Sequence, residues 1–103
     1  MPAPLSESAN RNRAPETGSA SQSVHAMFFV TADAGPGIAP RLIEPFAKLG
    51  LTPARLHISS EDGAGDDLNA DLRVRDVTRG TAQKIDKALR AIVGVRQVIA
   101  LVE

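Results

Sequence analysis

Apolar residues follow two different patterns along residues 24–103, one with a period of two and one with helical spacing. In "LNADLRVR", residues 68–75, every second residue is apolar and the others are polar or charged. This alternation predicts a strand with one face in the core and one face toward solvent. In "VHAMFFVT", residues 24–31, both sets of alternate positions carry bulky apolar residues. They predict a central strand that is covered on one face and partly covered on the other.

Two further segments show helical spacing. The first begins at Ile38, and the second covers residues 79–93 with Thr78 as the predicted N-cap. Gly50 and Gly94 follow these segments, where glycine supplies the positive φ that ends many helices. The sequence therefore predicts two amphipathic helices, each bounded at its carboxyl end by glycine.

Two prolines modify this pattern. Pro45 lies inside the first helical segment, where it removes one backbone hydrogen bond, and predicts a bend or a short irregular turn. Pro53 lies in residues 51–59, which read as the second strand. Because proline cannot donate to a strand ladder, this strand is predicted at an edge of the sheet. Its inward-facing residues are predicted to be Thr52, Ala54, Leu56 and Ile58.

The order of the predicted elements defines the fold class. Residues 95–102, "VRQVIALV", form a strongly apolar last strand, so the elements follow as β-α-β-β-α-β. With short links and right-handed crossovers, this order predicts an α+β, ferredoxin-like fold. Its four-stranded antiparallel sheet carries both helices on one face.

The first 23 residues differ in composition from the rest of the chain. They contain three prolines and five serines, and no large apolar residue follows Leu5. Such a segment cannot bury enough apolar surface to offset the entropy of ordering it. We therefore predict a disordered tail over residues 1–23 and a single domain over residues 24–103.

Charge and composition argue against several classes of function. Twelve lysines and arginines balance twelve aspartates and glutamates, and the chain has no cysteine. The balanced charge does not favour a nucleic-acid partner, and a thiolate metal site is excluded. No apolar run reaches the length of about 18 residues that a transmembrane helix needs. The expectation is a cytoplasmic protein without nucleic-acid or membrane partners.

The turn in "TADAGPGIAPRL", residues 31–42, is the first candidate site. Its glycines do not have the G-x-G-x-x-G spacing, and no Gly-Lys-Ser/Thr follows them. Gly37 and Ile38 lie at a helix N-terminus, where free N–H groups and the helix dipole favour an anion such as a carboxylate. The residues leave two interpretations open, an anion or amino-acid site and a simple strand-to-helix turn.

The sequence gives little support for a catalytic site or a metal site. Arg41 lies four residues after Gly37, as in small acylphosphatases, but the chain has no tryptophan and Asn69 falls within a strand. An acylphosphatase-like hydrolase is therefore the least favoured alternative, and Arg41 is predicted to be a solvated first-turn side chain. His25 and His57 are the only histidines, and no third ligand is evident from spacing. We predict no catalytic residue, no metal site and no cofactor.

Several short segments carry a resemblance to a known family. They are "HAMFFVT", "DAGPGI", Arg41, "FAKLGL" before the second strand, and "GVRQV" at the last strand. Together they resemble an ACT domain, the small regulatory module of amino-acid metabolism. With "LNADLRV" and "KIDKALRAIVGVRQV", the chain is most similar to the small regulatory subunit of acetohydroxyacid (acetolactate) synthase.

The resemblance implies a non-catalytic homodimer with a ligand site at its interface. In that family, the turn before the first helix gives backbone N–H groups to the ligand carboxylate. These groups carry over to Gly35, Gly37 and Ile38, and Asp33 is the acidic residue before the turn. Thr52 stands where the family often has an asparagine that contacts ligand across the interface. A hydroxyl offers one donor where an amide offers two.

The resemblance also implies partners. The catalytic large subunit of acetohydroxyacid synthase would bind the chain, and a branched-chain amino acid would be the effector. Short regulatory subunits can also activate their enzyme without sensing an amino acid. The alternative is a free-standing homodimer that binds an amino acid and has no enzyme partner.

Overall fold

The computed structural model describes residues 22–60 and 66–103. Its elements follow in the order β1 (Val24–Asp33), α1 (Ile38–Lys48), β2 (Arg55–Ser59), β3 (Asp67–Val77), α2 (Arg79–Arg90) and β4 (Val95–Val102). The strands form one antiparallel sheet in the order β2-β3-β1-β4. This is the predicted ferredoxin-like arrangement, with β1 central and β2 at an edge. Nearly all of the predicted tail lies outside the described residues, and it stays a prediction.

The hydrophobic core lies between the helices and one face of the sheet. Phe28 on β1 and Phe46 on α1 are fully buried, and their rings meet edge to face with centroids 6.4 Å apart. The alternating apolar positions of the two central strands and the apolar stripes of both helices complete this core. They include Ala26, Val30, Leu42, Leu72, Val74, Ile85 and Leu89. The alternation in β3 was therefore a correct guide to its buried face.

The edge strand β2 is shorter than predicted. It begins at Arg55 rather than at residue 51, and Pro53 precedes it. Thr52 and Ala54 are exposed, so the prediction that they point inward was wrong. Leu56 pairs with the buried Leu72 on the helix side of the sheet, yet 46% of its surface remains exposed. The helices bury the central strands, and an edge residue on the same face stays largely uncovered.

The helices also differ in detail from the prediction. α1 continues through Pro45, which is buried, so the predicted irregular turn is not formed. α2 ends at Arg90, and a turn of four residues leads from there to β4. Gly50 and Gly94 have φ values of 71° and 99°, as glycines that end helices commonly do.

The side of the sheet opposite the helices is here called the open face. Its side chains form rows across the strands, because paired residues of neighbouring strands lie side by side. The middle row contains His57, Asp71, Phe29 and Ile99, from β2, β3, β1 and β4 in turn. The pairing of β1 with β4 shifts register after Thr31, which brings Arg96 next to Asp33. That contact could not be read from strand alternation alone.

Candidate functional site

Residues 34–37 connect β1 to α1, and backbone hydrogen bonds fix the start of this turn to two neighbouring segments of the chain. Asp33 N–H donates to the carbonyl oxygen of Gly94 at 2.8 Å, and Ala34 N–H donates to that of Asp66 at 3.0 Å. Ile38 N–H donates to the carbonyl oxygen of Gly35 at 3.3 Å. None of these bonds uses the N–H group of Gly37. The turn is anchored to the residues that directly precede β4 and β3, and within residues 22–60 and 66–103 the Gly37 N–H group has no backbone acceptor.

The two helices differ at their N-termini. Thr78 caps α2, because its hydroxyl accepts a hydrogen bond from Thr81 N–H at 3.1 Å, as predicted. α1 has Gly37 as its N-cap, with no side-chain cap and no acidic residue in its first turn. The positive end of the α1 dipole therefore has no acceptor from its own side chains. An external anion can supply that acceptor.

The glycines of the turn are not required by the backbone. The positive-φ glycines of the described residues are Gly50 and Gly94, so Gly35 and Gly37 have conformations open to other residues. A Cβ on Gly35 would come no closer than 4.0 Å to Ile38, and one on Gly37 no closer than 3.5 Å to Arg41. Side chains would fit at both positions. Glycine there leaves room for a group to approach the backbone closely.

Arg41 adds positive charge to this turn. Its guanidinium lies 3.5 Å from the position of a Cβ on Gly37, although the side chain is exposed as predicted. The spacing of four residues explains this placement, since side chains at i and i+4 share one face of a helix and lean toward its N-terminus. Sequence reasoning weighed Arg41 for a hydrolase and counted it among the features of the family resemblance, but it missed the contact of Arg41 with the uncapped turn.

The remaining predicted site residues lie elsewhere. The carboxylate of Asp33 contacts Arg96 Nε at 3.1 Å on the open face. Thr52 lies near the opposite end of the sheet, because the following Arg55 aligns with Met27, close to the start of β1. One chain therefore brings together the backbone of Gly35, Gly37 and Ile38 with Arg41. Thr52 would reach this turn only from a second chain.

Asn69 does not join Arg41 in a hydrolase-like arrangement. It lies on the open face, where Thr31 Oγ1 is 3.5 Å from its side-chain oxygen. His25 and His57 are not neighbours either, since His57 aligns with Phe29. His25 Nε2 is buried and has no hydrogen-bond partner in the described part of the chain. Residues 22–60 and 66–103 contain no group of three potential metal ligands.

A charged cluster occupies the open face near a shallow cavity of about 280 Å³. Asp71 bonds Arg73 Nε at 2.9 Å and Arg55 Nε at 3.0 Å, and Arg73 lies 5.8 Å from the centre of the Phe29 ring. The hydrogen bond from Arg73 lowers the pKa of Asp71, with a further contribution from Arg55, while partial burial opposes the shift. The cluster therefore favours the ionised form of Asp71.

This shift predicts a pH-dependent contribution to stability. A lowered pKa in the folded state stabilises the fold above the ordinary Asp pKa of about 3.9, and the contribution is lost as pH falls through the folded value. We expect Asp71→Asn to lower the free energy of unfolding by up to about 1 kcal/mol at pH 7, since its partners are partly exposed. Urea unfolding should show this difference shrinking below about pH 4.

The control for that experiment is Asp86→Asn, which removes an exposed ion pair with Arg90 on α2. We expect it to change the free energy of unfolding less than Asp71→Asn does at pH 7. Equal and pH-independent effects of the two substitutions would contradict a stabilising role for the Asp71 cluster.

The comparisons with known proteins establish the fold. The ACT domain from GTP pyrophosphokinase of Chlorobium tepidum is similar in its crystal structure, with TM-score 0.66, 14% identity, and coverage of 78% of this chain and 100% of that chain. Its solution structure gives TM-score 0.63 and 14% identity over 77% of this chain and 86% of that chain. The chain therefore has the fold of these ACT domains.

A third solved structure has the same fold. It is the C-terminal domain of the MgtC protein from Mycobacterium tuberculosis, with TM-score 0.60 and 12% identity over 78% of this chain and 87% of that chain. No protein-family model and no curated protein matches the sequence. Among the described residues, no helix is both long and apolar enough to cross a membrane.

Proposed function

We propose that the chain is a non-catalytic regulatory domain that binds a small carboxylate, an amino acid, at the turn between β1 and α1. The observation that carries this proposal is the uncapped N-terminus of α1. It combines an N–H group left free of the turn's own hydrogen bonds, two glycines that the backbone does not require, and the Arg41 guanidinium. The fold shared with ACT domains supports this function.

The mechanism would be differential binding. A ligand that binds one arrangement of an assembly better than another shifts the population toward that arrangement. A carboxylate at this turn would link β1, α1 and the residue directly before β4, since Asp33 N–H donates to the carbonyl oxygen of Gly94 and Ile38 begins the helix. Ligand binding would thus stabilise the junction of three elements, and a bound enzyme could sense that change.

The sequence resemblance suggests a more specific role. We propose that the chain acts as a homodimer and is the small subunit of acetohydroxyacid synthase, with a branched-chain amino acid as effector. Segments "LNADLRV" and "KIDKALRAIVGVRQV" support this role. The alternative is a free-standing homodimer that binds an amino acid without an enzyme partner.

Thermal unfolding of the full chain with valine, leucine or isoleucine tests the ligand. At a ligand concentration of 100 times Kd, binding stabilises the folded state by about 2.7 kcal/mol, which raises Tm by roughly 10 °C or more in a domain of this size. Valinol is the matched control, because it keeps the amine and side chain of valine but has no carboxylate. We expect valine to raise Tm and valinol to leave it unchanged.

No shift with any of the three amino acids at millimolar concentration would contradict amino-acid sensing. Equal shifts with valine and valinol would contradict recognition of the carboxylate. Capture of a thiamine-dependent large subunit by the tagged chain, from its own host, distinguishes the enzyme subunit from the free-standing alternative. Failure to capture it would leave the free-standing homodimer as the supported form.

A further inference from the structure

An apolar strip runs along one half of the open face. It consists of Met27 and Phe29 on β1 and of Ile99 and Leu101 on β4, which pair across the two strands. Ile99 is 48% exposed and Leu101 is 49% exposed, although both lie beside the apolar residues of β1. The other half, on β2 and β3, carries polar and charged side chains. The open face therefore has one apolar side and one polar side, divided along the strand direction.

On β3 and β4, charged residues of opposite sign lie at the two ends of the open face. One end has Asp33 on β1, Asp67 on β3 and Arg96 at β4, and Arg96 contacts both carboxylates. The other end has His25 on β1, Arg75 followed by Asp76 on β3, and Glu103 directly after β4. Asp67 and Arg75 on β3, and Arg96 and Glu103 at β4, are therefore oppositely charged residues at opposite ends. On β1, an aspartate at one end corresponds to a histidine at the other.

Two further observations place the last of these residues next to His25 and near Arg73. His25 and Glu103 exchange backbone hydrogen bonds of 2.8 and 2.9 Å, so they lie side by side in the sheet. The pKa of Arg73 is raised mainly by its hydrogen bond to Asp71, and the negative charge of Glu103 adds to that effect. The negative charge of Glu103 is therefore close enough to act on Arg73.

We propose that two copies of the chain pack open face to open face, about a two-fold axis that runs along the middle row of His57, Asp71, Phe29 and Ile99. Rotation about this line places each strand over the same strand of the second copy and exchanges the two ends. Sheets packed in this way lie about 10 Å apart with nearly aligned strands. The dimer is closed and isologous, since the same surface is used twice.

This symmetry places the β1 and β4 half of one copy over the same half of the other. Phe29 and Ile99 of the two copies meet at the axis, while Met27 and Leu101 come to face Thr31 and Gln97 of the second copy. Arg75 comes to face Asp67 of the second copy, and Glu103 comes to face Arg96 of the second copy. Rotation about an axis along the strands would instead place the apolar strip over the charged half. Charge and hydropathy therefore select one of the two in-plane axes.

One like-charge contact lies near the axis, where Asp71 approaches Asp71 of the second copy. Each of these carboxylates is already bonded to Arg55 and Arg73 of its own chain, at 3.0 and 2.9 Å. The arginines offset the negative charge before the two surfaces meet. The cavity of the open face is lined by Phe29, His57 and Ile99 among others, so the second copy would also cover it.

The size of the surface sets the expected affinity. The strands lie about 4.8 Å apart, and the longer ones extend over about eight residues at about 3.4 Å per residue. A sheet of four such strands has a flat area of roughly 500 Å² on each copy. Standard interfaces bury about 800 Å² on each partner. We therefore expect a reversible dimer, whose association depends on concentration.

The dimer does not rest on the proposed ligand or enzyme. The α1 turn and the segment containing Thr52 both connect the sheet to the helix layer, and packing of the open faces leaves the helix layers outermost. This axis therefore does not bring Thr52 of the second copy to the turn. The association test below needs no ligand, so it can fail or succeed separately from amino-acid binding.

Charge reversal on β3 tests the symmetry directly. In a homodimer of the Arg75→Glu variant, the two new glutamates would face the two native Asp67 carboxylates. In a homodimer of the Asp67→Arg variant, the two new arginines would face the two native Arg75 side chains. A mixed dimer of the two variants would instead have opposite charges at both contacts. We expect each variant alone to dimerise at least 10-fold more weakly than the native chain, and the mixture to form a heterodimer at least 10-fold tighter than either variant homodimer.

Sedimentation equilibrium of the full chain from about 1 μM to about 1 mM covers the expected range, and native mass spectrometry separates the mixed dimer from the two homodimers. Circular dichroism establishes that each variant is folded. A native chain that stays monomeric throughout this range would overturn the proposal. A mixture that associates no better than its components would overturn it too, because pairing at a sheet edge or through the helices would not bring Arg75 over Asp67.

A second pair of variants tests the face without altering these charges. Ile99→Asp places a carboxylate at the axis, whereas Leu56→Asp places one on the helix side of the other edge strand at a similar exposure of 46%. We expect Ile99→Asp to weaken the dimer at least 10-fold and Leu56→Asp to leave it unchanged. A dimer that resists Ile99→Asp, or that is lost equally in both variants, would overturn the assignment to the open face.

Discussion

The substitution Gly94→Ala is expected to lower the free energy of unfolding by about 2–5 kcal/mol. Gly94 has φ of 99°, and a Cβ at this position would lie 2.8 Å from Cδ1 of Ile38. The positive φ costs roughly 1–2 kcal/mol for a residue with a side chain. Overpacking against the buried Ile38 adds about 1–3 kcal/mol. Small domains of this size have little stability in reserve, so a large fraction of the chains would unfold.

Urea unfolding measures this loss, and Gly50→Ala is the matched control. Gly50 also has a positive φ, 71°, but a Cβ there would meet nothing within 4 Å. The difference between the two substitutions isolates the contact with Ile38. Combining Gly94→Ala with Ile38→Val removes the crowded Cδ1 atom and should recover part of the stability. Equal losses for Gly94→Ala and Gly50→Ala, with no recovery in the double variant, would show that the close contact is unimportant.

The contact between Gly94 and Ile38 also holds the candidate site in a fixed position. Ile38 begins α1 and is buried under Gly94, whose carbonyl oxygen also accepts the N–H group of Asp33. The turn therefore starts and ends on residues that contact Gly94, which directly precedes β4. A ligand at this turn would bind a surface that is already ordered, which lowers the entropy cost of binding.

Local patterns predicted the elements of this fold well. The alternation in β3 and the apolar stripes of the helices depend on burial within single elements, and the structure confirms them. The exposure of Leu56 depends on how far the helices extend over the sheet, which no local pattern contains. A local pattern does not fix the first residue of β2 either. Pro53 indicated an edge strand, but it precedes the strand and does not lie within it.

The candidate site was predictable in part. Glycines before a helical pattern identified the turn between β1 and α1, and the absence of a side-chain cap is visible from the residue types at residues 34–37. The contact of Arg41 with Gly37 was not predictable from the residue types alone, because it depends on the helix beginning at Ile38. That first residue fixes the position of Arg41 around the helix axis. The placement of the charges on the open face was not predictable either, because it depends on the strand register, including the shift that brings Arg96 to Asp33.

The second large effect is expected for Gly37→Val, which should weaken valine binding at least 10-fold while changing the free energy of unfolding by less than about 1 kcal/mol. The φ of Gly37 is −93°, which other residues adopt freely, and the nearest atoms to a Cβ belong to the flexible end of Arg41. The fold therefore accepts the side chain. A ligand carboxylate would lose its close approach to the N-terminus of α1, because the branched side chain occupies that space.

Calorimetric titration with valine measures the affinity, and Gly80→Val is the matched control in the first turn of α2. A Cβ on Gly80 would lie 3.8 Å from the Thr78 hydroxyl, so that substitution is also sterically tolerated, but α2 already has its side-chain cap. We expect Gly80→Val to bind valine as the native chain does, and Arg41→Ala to weaken binding less than Gly37→Val. Native affinity in Gly37→Val would exclude this turn as the carboxylate site. A larger loss in Arg41→Ala than in Gly37→Val would instead make the guanidinium the main contact, with the backbone N–H groups secondary to it.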